Sequence, residues 1–561
     1  MNMASAYIGH GNSTSNSTLA VSLGPTSYFS VAEHAGLMYG HISLMVLAWV
    51  VVLPVAVMFS IARSRFTIPA QTSFLLVNAF GLLTGVIYRH QTPDLYENNS
   101  HNKAGWAVTW IAVAWVAMGL LGRYKKRTKS VPATIRPSQA VDIQALAQYQ
   151  RVQGLRMPDG GRWSRDSGQG TERDSASLCS DSRSHSLESV PQDLPEIRDR
   201  YHSDEGFDDD EDAEKRGFLH NTAVDRLLSR NAPSTAFGRV TTVVHILYSV
   251  VERFILILGF LGLASGAAVY GGIFRGNDIF GGLAHFVKGG IFFWYGFVAL
   301  GRWTGCFSEY GWAWNTKPSI NGRISRAPSA EFAESFLIFS YGASNVFLEH
   351  LGALGGAWSA QDLEHVSITI MFFGGGLLGM LVESRRVRDL LNTSALAAKD
   401  EQVSQDEERR EPKTYRISLN PLPGLVILLL GLTMSSHHQH SMVSTMVHKQ
   451  WGTLFVGAAL ARAVTYLLMY LSPPTSHMPS RPPSELICAF CLVSGGLIFM
   501  GSNKNTVEAL EAYGLDAMFI FTVTMGLTAL LMAWATVVVA IKGWALRREG
   551  KLSIASSTTF A

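Results

Sequence analysis

The chain has 561 residues, a formal net charge of only +3, 47% hydrophobic residues and 16% charged ones. So even a charge balance, with no basic stripe interleaved with aromatics, argues against a nucleic-acid partner. Four cysteines, two of them in one apolar stretch, do not make a disulfide framework.

Apolar blocks joined by short polar segments recur from Gly36 to Lys542. This pattern predicts an all-α, polytopic transmembrane helical bundle whose natural partner is the lipid bilayer. Residues 1–31 are rich in Ser, Thr and Asn, have no apolar centre of the signal-peptide type, and read as a disordered outer tail with glycosylation sequons at Asn12 and Asn16. Spans are expected at about 36–61, 72–88, 104–122, 241–272, 282–302, 332–350, 364–383, 419–437, 451–471, 484–501 and 515–542, eleven in all. A three-span domain (32–122) is thus followed by an eight-span domain (239–545) and a short tail (546–561). With eleven crossings, Arg63 and Arg65, the Arg123–Lys129 cluster, Lys317 to Arg326, the ESRRVR stretch ending at Arg388, Arg481, and Lys542 to Lys551 share one side. The excess of basic residues makes that side cytosolic, so the N-terminus lies outside and the C-terminus inside. The sequons at Asn12, Asn16 and Asn98 then fall outside, and Asn392 falls inside. The protein belongs in a membrane of the secretory pathway, the plasma membrane or the vacuole and other endomembranes.

Residues 123–238 interrupt the pattern. They begin basic, turn Ser-, Arg- and Asp-rich, and end strongly acidic (DEGFDDDEDAEKRGF). Too little apolar surface is present to bury a core, so a disordered cytosolic linker is expected.

Histidines carry the functional signal. His34 and His41 open the first span seven positions apart, two turns along one helix face. An imidazole inside a span is costly unless a partner takes its nitrogens. His101, His285, His350, His365, His437, His438 and His448 gather near the same outer face, whereas His245 and His477 lie near the inner one. Neutral imidazoles converging from different helices suit haem b or a divalent transition metal. Glu349–His350 and Glu364–His365 flank one outer turn, and SSHHQHSMVSTMVHKQWG supplies His437, His438 and His448 across the next. Together they make a candidate Zn or Cu site, with Glu349 or Glu364 as ligand or orienting group. Glu252–Arg253, Glu334 and Arg462 are intramembrane ionisable residues and therefore functional suspects. His285 and Lys288 share a helix face that would suit an anion. Cys488 and Cys491 read as small packing residues in an apolar helix.

The stretch GHISLMVLAWVVVLP resembles the first core helix of the ascorbate-reducible di-haem b-type cytochromes, and HNKAGWAVTWIAVAWVAMGLLGRY is similar to the opening of that family's third core helix. The resemblance implies that His41 and His101 share one haem b near the outer face, with His34 as a competing ligand. A second haem would need a histidine early in the second span, where Phe74 stands, and one in the fourth, where His245 is the remaining partner. Over nearly its whole length the chain more closely resembles the fungal YTP-type integral membrane proteins. The matching stretches are EHAGLMYGHISLMVLAWVVVLP, LEHVSITIMFFGGGLLGML, SSHHQHSMVSTMVHKQWG and LDAMFIFTVTMGLTALLMAW.

Three function classes follow: a haem b electron-transfer protein working with an outer electron donor or acceptor, a protein that handles or transports Zn or Cu ions through the outer His/Glu cluster, and a structural or assembly factor without a cofactor. The topology is directly testable. Glycosidase-sensitive mobility shifts are expected from Asn12, Asn16 and Asn98 and none from Asn392; a glycan on Asn392 would overturn the span count.

Overall fold

The computed structural model describes residues 27–129, 234–276, 278–320, 323–324, 327–345, 358, 360–396, 417–436, 439 and 441–550. Its helices are α1 (Ala35–Ile61), α2 (Thr67–Gln91), α3 (His101–Lys129), α4 (Ser234–Gly271), α5 (Asp278–Thr304), α6 (Ala330–Asn345), α7 (Ala360–Glu383), α8 (Arg385–Leu396), α9 (Leu422–Ser436), α10 (Met442–Leu471), α11 (Pro483–Gly501), α12 (Lys504–Ala512) and α13 (Ala517–Arg548). The described strands are one two-residue antiparallel pair, Ser319–Ile320 with Arg323–Ile324, in the loop after α5. The all-α membrane class is therefore observed. Among the described residues nine helices are long and apolar enough to cross a bilayer. Two further expected spans form shorter helices, α6 with 16 residues and α9 with 15. Large apolar side chains such as Leu76, Phe80, Trp110, Phe254 and Leu530 stand exposed on the helix surfaces, as lipid-facing positions require.

Residues up to Tyr124 and from Thr242 onward form one compact unit, and residues 125–241 a second, described only where α3 ends and α4 begins. Helix α3 runs to Lys129 and α4 starts at Ser234, so helix enters both ends of the expected linker; the rest of that linker lies outside the described residues.

Among the described residues, the two larger of three apolar cores organise the first unit. One gathers Trp49 and Leu53 of α1, Phe74 of α2, Trp115 of α3 and Ile255 of α4. Helix α4, expected to belong with the later spans, thus completes a four-helix group with the first three. The other gathers Phe292 of α5, Trp451 and Phe455 of α10, and Leu492 and Phe499 of α11. Helix α11 is the central member: 67% of its apolar stretch is buried, against 11% for α4. Glycine lets it approach α5, since a Cβ at Gly289 would lie 2.6 Å from the carbonyl oxygen of Gly496. Such close backbone contact replaces the hydrophobic drive that lipid removes.

The first and last spans are joined by a consequence of one proline. Pro54 has no N–H, so the Val50 carbonyl loses its ordinary helical donor, and α1 passes through a π-helical turn at Leu47–Val52. Trp534 Nε1 of α13 donates to that carbonyl at 2.8 Å. Further along, Glu549 accepts from the Ser64 hydroxyl at 2.8 Å and the Arg65 N–H at 2.9 Å. Trp534→Phe keeps most of the ring but strands the carbonyl, at an expected cost of about 1–3 kcal/mol. In a Pro54→Ala background, where residue 54 again has an N–H to donate, the same change should cost clearly less. Unfolding midpoints of the four proteins measure this coupling, and equal losses in both backgrounds would refute it.

Candidate functional site

At one end of the four-helix group, two half-buried imidazoles are oriented by neighbouring helices rather than their own. His41 Nδ1 of α1 lies 2.7 Å from the Gly81 carbonyl of α2. His101 Nδ1 at the start of α3 lies 3.0 Å from the Ser265 hydroxyl of α4. A glycine faces each ring. A Cβ on Gly85 would come within 2.7 Å of His41 Nδ1, and one on Gly266 within 3.1 Å of His101 Cε1. The two imidazoles are within electrostatic reach of one another. The loop that delivers His101 is anchored by Tyr96, whose hydroxyl lies 2.7 Å from the carbonyls of Ile273 and Phe274, with the Arg275 guanidinium stacked 4.3 Å over its ring. Burial raises the Tyr96 phenol above its ordinary range, against the opposing pull of Arg275, so it stays protonated as a donor.

Other expectations for this region change. His34 is not on the face that carries His41: it precedes α1 as its N-cap, exposed, with a left-handed backbone (φ 57°) that takes it out of the helical series. Phe74 is fully buried, edge-on to Trp49 at 5.1 Å, and fills core where the second haem's histidine was sought. His245 stands exposed on α4, and its carbonyl accepts from the Ser249 hydroxyl. Glu252 is not isolated: it accepts from Ser60 of α1, whose hydroxyl is also 2.5 Å from that of Tyr248. Asn98 is exposed in the loop between α2 and α3, also at positive φ (59°).

The later histidines meet differently from the expected cluster. Helix α10 begins at Met442, capped by the Ser441 hydroxyl, which accepts from Ser444 N–H at 3.0 Å. His448 therefore sits buried inside a helix instead of in an outer turn. It faces His285 of α5, with ring centroids 6.0 Å apart and planes nearly perpendicular at 88°. Each Nδ1 is held by the carbonyl four residues earlier, Gly281 at 2.9 Å and Ser444 at 2.8 Å. His365 is within electrostatic reach of His285, and Glu364 beside it is exposed. The other members, Glu349, His350, His437 and His438, lie outside the described residues, as do Asn12 and Asn16. Among the described residues no group of three or more His, Cys, Asp or Glu side chains stands close enough to hold a metal ion.

At the opposite end of the later helices lies a buried ion cluster of which the sequence singled out only two members. Arg302 of α5 is 2.8 Å from Glu331 and 2.7 Å from Glu334, both on α6. Arg462 of α10 reaches Glu334 at 3.3 Å and Glu485 of α11 at 2.5 Å. All five side chains are at most 8% exposed. The loop after α5 folds back beneath them: Trp312 O accepts from Arg302 Nε at 2.8 Å, and the Trp314 ring lies 4.3 Å from the Arg302 guanidinium. Trp314 has φ 50°, a left-handed conformation strained for a bulky residue and held here by its packing. Arg302, Glu331 and Glu485 lie at the ends of apolar stretches, where charges ordinarily reach for the interface. The available signal was the spacing of Glu331 and Glu334, which places them on one helix face.

The family model described as "Protein YTP1-like, C-terminal" matches residues 258–543, and one described as a domain of unknown function (DUF2427) matches residues 22–125. An uncharacterized membrane protein of Schizosaccharomyces pombe is 32% identical over 96% of this chain and 99% of its own length. An uncharacterized membrane protein of Saccharomyces cerevisiae is 40% identical over 51% of this chain and 46% of its own length. Protein YTP1 of the same yeast is 24% identical over 42% of this chain and 41% of its own. No solved structure matches.

The cluster makes a sharp stability contrast. Arg462→Met leaves the buried Glu485 without its counter-ion, an expected loss of about 3–5 kcal/mol seen as a lowered unfolding midpoint. Lys504→Ala removes an exposed pair with Asp278 and should leave the midpoint unchanged. Equal effects would mean the cluster contributes no more than a surface bridge.

Proposed function

The chain belongs to the YTP1-like family of fungal multi-pass membrane proteins, and we propose that it is an electron-transfer protein that holds one haem b between His41 and His101. One observation carries this reading: two imidazoles on different helices, each with Nδ1 tied to a neighbouring helix. The Gly81 carbonyl can only accept, so Nδ1 carries the hydrogen of the neutral tautomer and Nε2 is left with the lone pair a metal needs. Ser265 orients His101 in the same way. Gly85 and Gly266 let each ring lie directly against the neighbouring backbone, where a larger residue would push it out of place. These residues therefore suit the group. Haem b would supply one-electron exchange, and the chain's part is to hold the imidazoles fixed and shielded by the buried Trp49 and Trp115 core. The partners would be an electron donor and acceptor reached from the histidine end.

The zinc or copper reading draws on a separate observation, the facing His285 and His448 with His365 in reach. A single preparation tests both. Full-length protein produced with ample haem should show a b-type Soret band that shifts on dithionite reduction. His41→Ala and His101→Ala should each lose it while still inserting into membranes. Ser265→Ala, which removes only an orienting partner, should weaken haem retention about 10–100-fold. Haem-free wild-type protein would end this reading. Stoichiometric zinc or copper in that sample would favour the metal instead.

A further inference from the structure

The ion cluster of Arg302, Glu331, Glu334, Arg462 and Glu485 has an imbalance that the histidine chemistry does not use. Three carboxylates face two guanidiniums. Arginine does not deprotonate in proteins, so full ionisation would leave one net negative charge among buried apolar helices. A lone buried charge of that kind is removed by protonation rather than tolerated. The other titratable groups facing the cluster are Tyr295 of α5, Tyr466 of α10 and Cys488 of α11, all neutral in their ordinary state near pH 7. The Tyr466 hydroxyl lies 3.5 Å from Glu331 Oε1.

At the rim, Lys317 is within electrostatic reach of Glu331, but its ammonium donates to the Ala327 carbonyl at 2.8 Å. Burial and the nearby Arg385 push Lys317 below the usual lysine range, with Glu383 and Glu331 opposing. Glu383 is itself held by the hydroxyls of Ser329 and Ser418. A second observation is an unpartnered polar group beside the charges. Arg462 Nη2 is buried without a hydrogen-bond partner, and a cavity of about 10 Å³ is lined by Arg462, Tyr295 and Cys488. That is room for a single water.

We infer that the cluster is a proton-binding site inside the membrane, holding one exchangeable proton shared among Glu331, Glu334 and Glu485. The ligand is the hydrogen ion. An O–H bond forms at a carboxylate oxygen as hydronium gives up its proton and becomes water, and no electrons change hands. The site stands at the end of the bundle away from the histidines and is independent of whether haem is bound.

Charge counting makes the test strict. Infrared difference spectra of the full chain in lipid nanodiscs, recorded across pH in H2O and D2O, read the protonated-carboxyl C=O band. The wild type should show one such group in addition to any removed by the control Glu252→Gln. Glu331→Gln, Glu334→Gln and Glu485→Gln each restore a two-to-two balance, so each alone should abolish the band. Arg302→Gln should double it. Lys317→Gln should leave it unchanged, whereas a band absent from the wild type and appearing only in Lys317→Gln would make Lys317 the missing counter-ion and overturn the proposal. A band surviving any one of the three glutamate substitutions overturns it too. Should those variants fail to fold, the wild type still decides: no protonated carboxyl beyond Glu252 means no bound proton.

Discussion

A guanidinium buried in an apolar bundle cannot shed its charge, and the later half of this protein is arranged around two of them. Each ion loses several kcal/mol of hydration on burial, a cost offset only by close carboxylates in good geometry. Arg302 therefore draws in Glu331 and Glu334, and Arg462 draws in Glu334 and Glu485. Four helices, α5, α6, α10 and α11, are thereby tied together at one end. Trp314 closes the cluster from the loop side. Since α5 and α10 also carry His285 and His448, their fixed relation at the charged end bears on how the two rings meet at the other.

The first four helices use weaker groups to reach comparable definition. Pro54 frees a carbonyl that Trp534 takes up, and Ser60 gathers Tyr248 and Glu252. Helices in lipid gain little from apolar burial against one another, so close glycine contacts and single polar contacts decide the pairing. The same rule explains the histidines. Placing His41 against Gly85 and His101 against Gly266 brings each imidazole to a backbone surface where a side chain would exclude it. The polar atoms that hold helices together are here also the atoms that set ring orientation.

Helix α4 shows where one-dimensional reading fails. It follows the long interruption in sequence, so it reads as the start of the later domain, yet Tyr248, Ile255, Gly259 and Ser265 all face the first three spans. Phe260 of the same helix stacks on Phe286 and Phe293 of α5, so α4 belongs to both groups. His34 is a similar case. Spacing of seven implies one helix face only if both residues are helical, and a left-handed residue at position 34 breaks the series.

The sequence by itself determined the membrane class, the position of nearly every helix, and the residue types able to do chemistry, because apolar run length and polar rarity are local properties of a chain entering lipid. It also singled out His41, His101, Glu334 and Arg462. Only the tertiary structure decided which of these meet. The acceptors that orient His41 and His101 are a backbone carbonyl and a serine hydroxyl, groups too common to stand out in a sequence. The partners of Arg462 come from α6 and α11, more than a hundred and about twenty residues away along the chain. Pairing across such distances depends on helix order and crossing, which arise from close glycine contacts and ion pairing between helices and leave no periodic trace in the sequence.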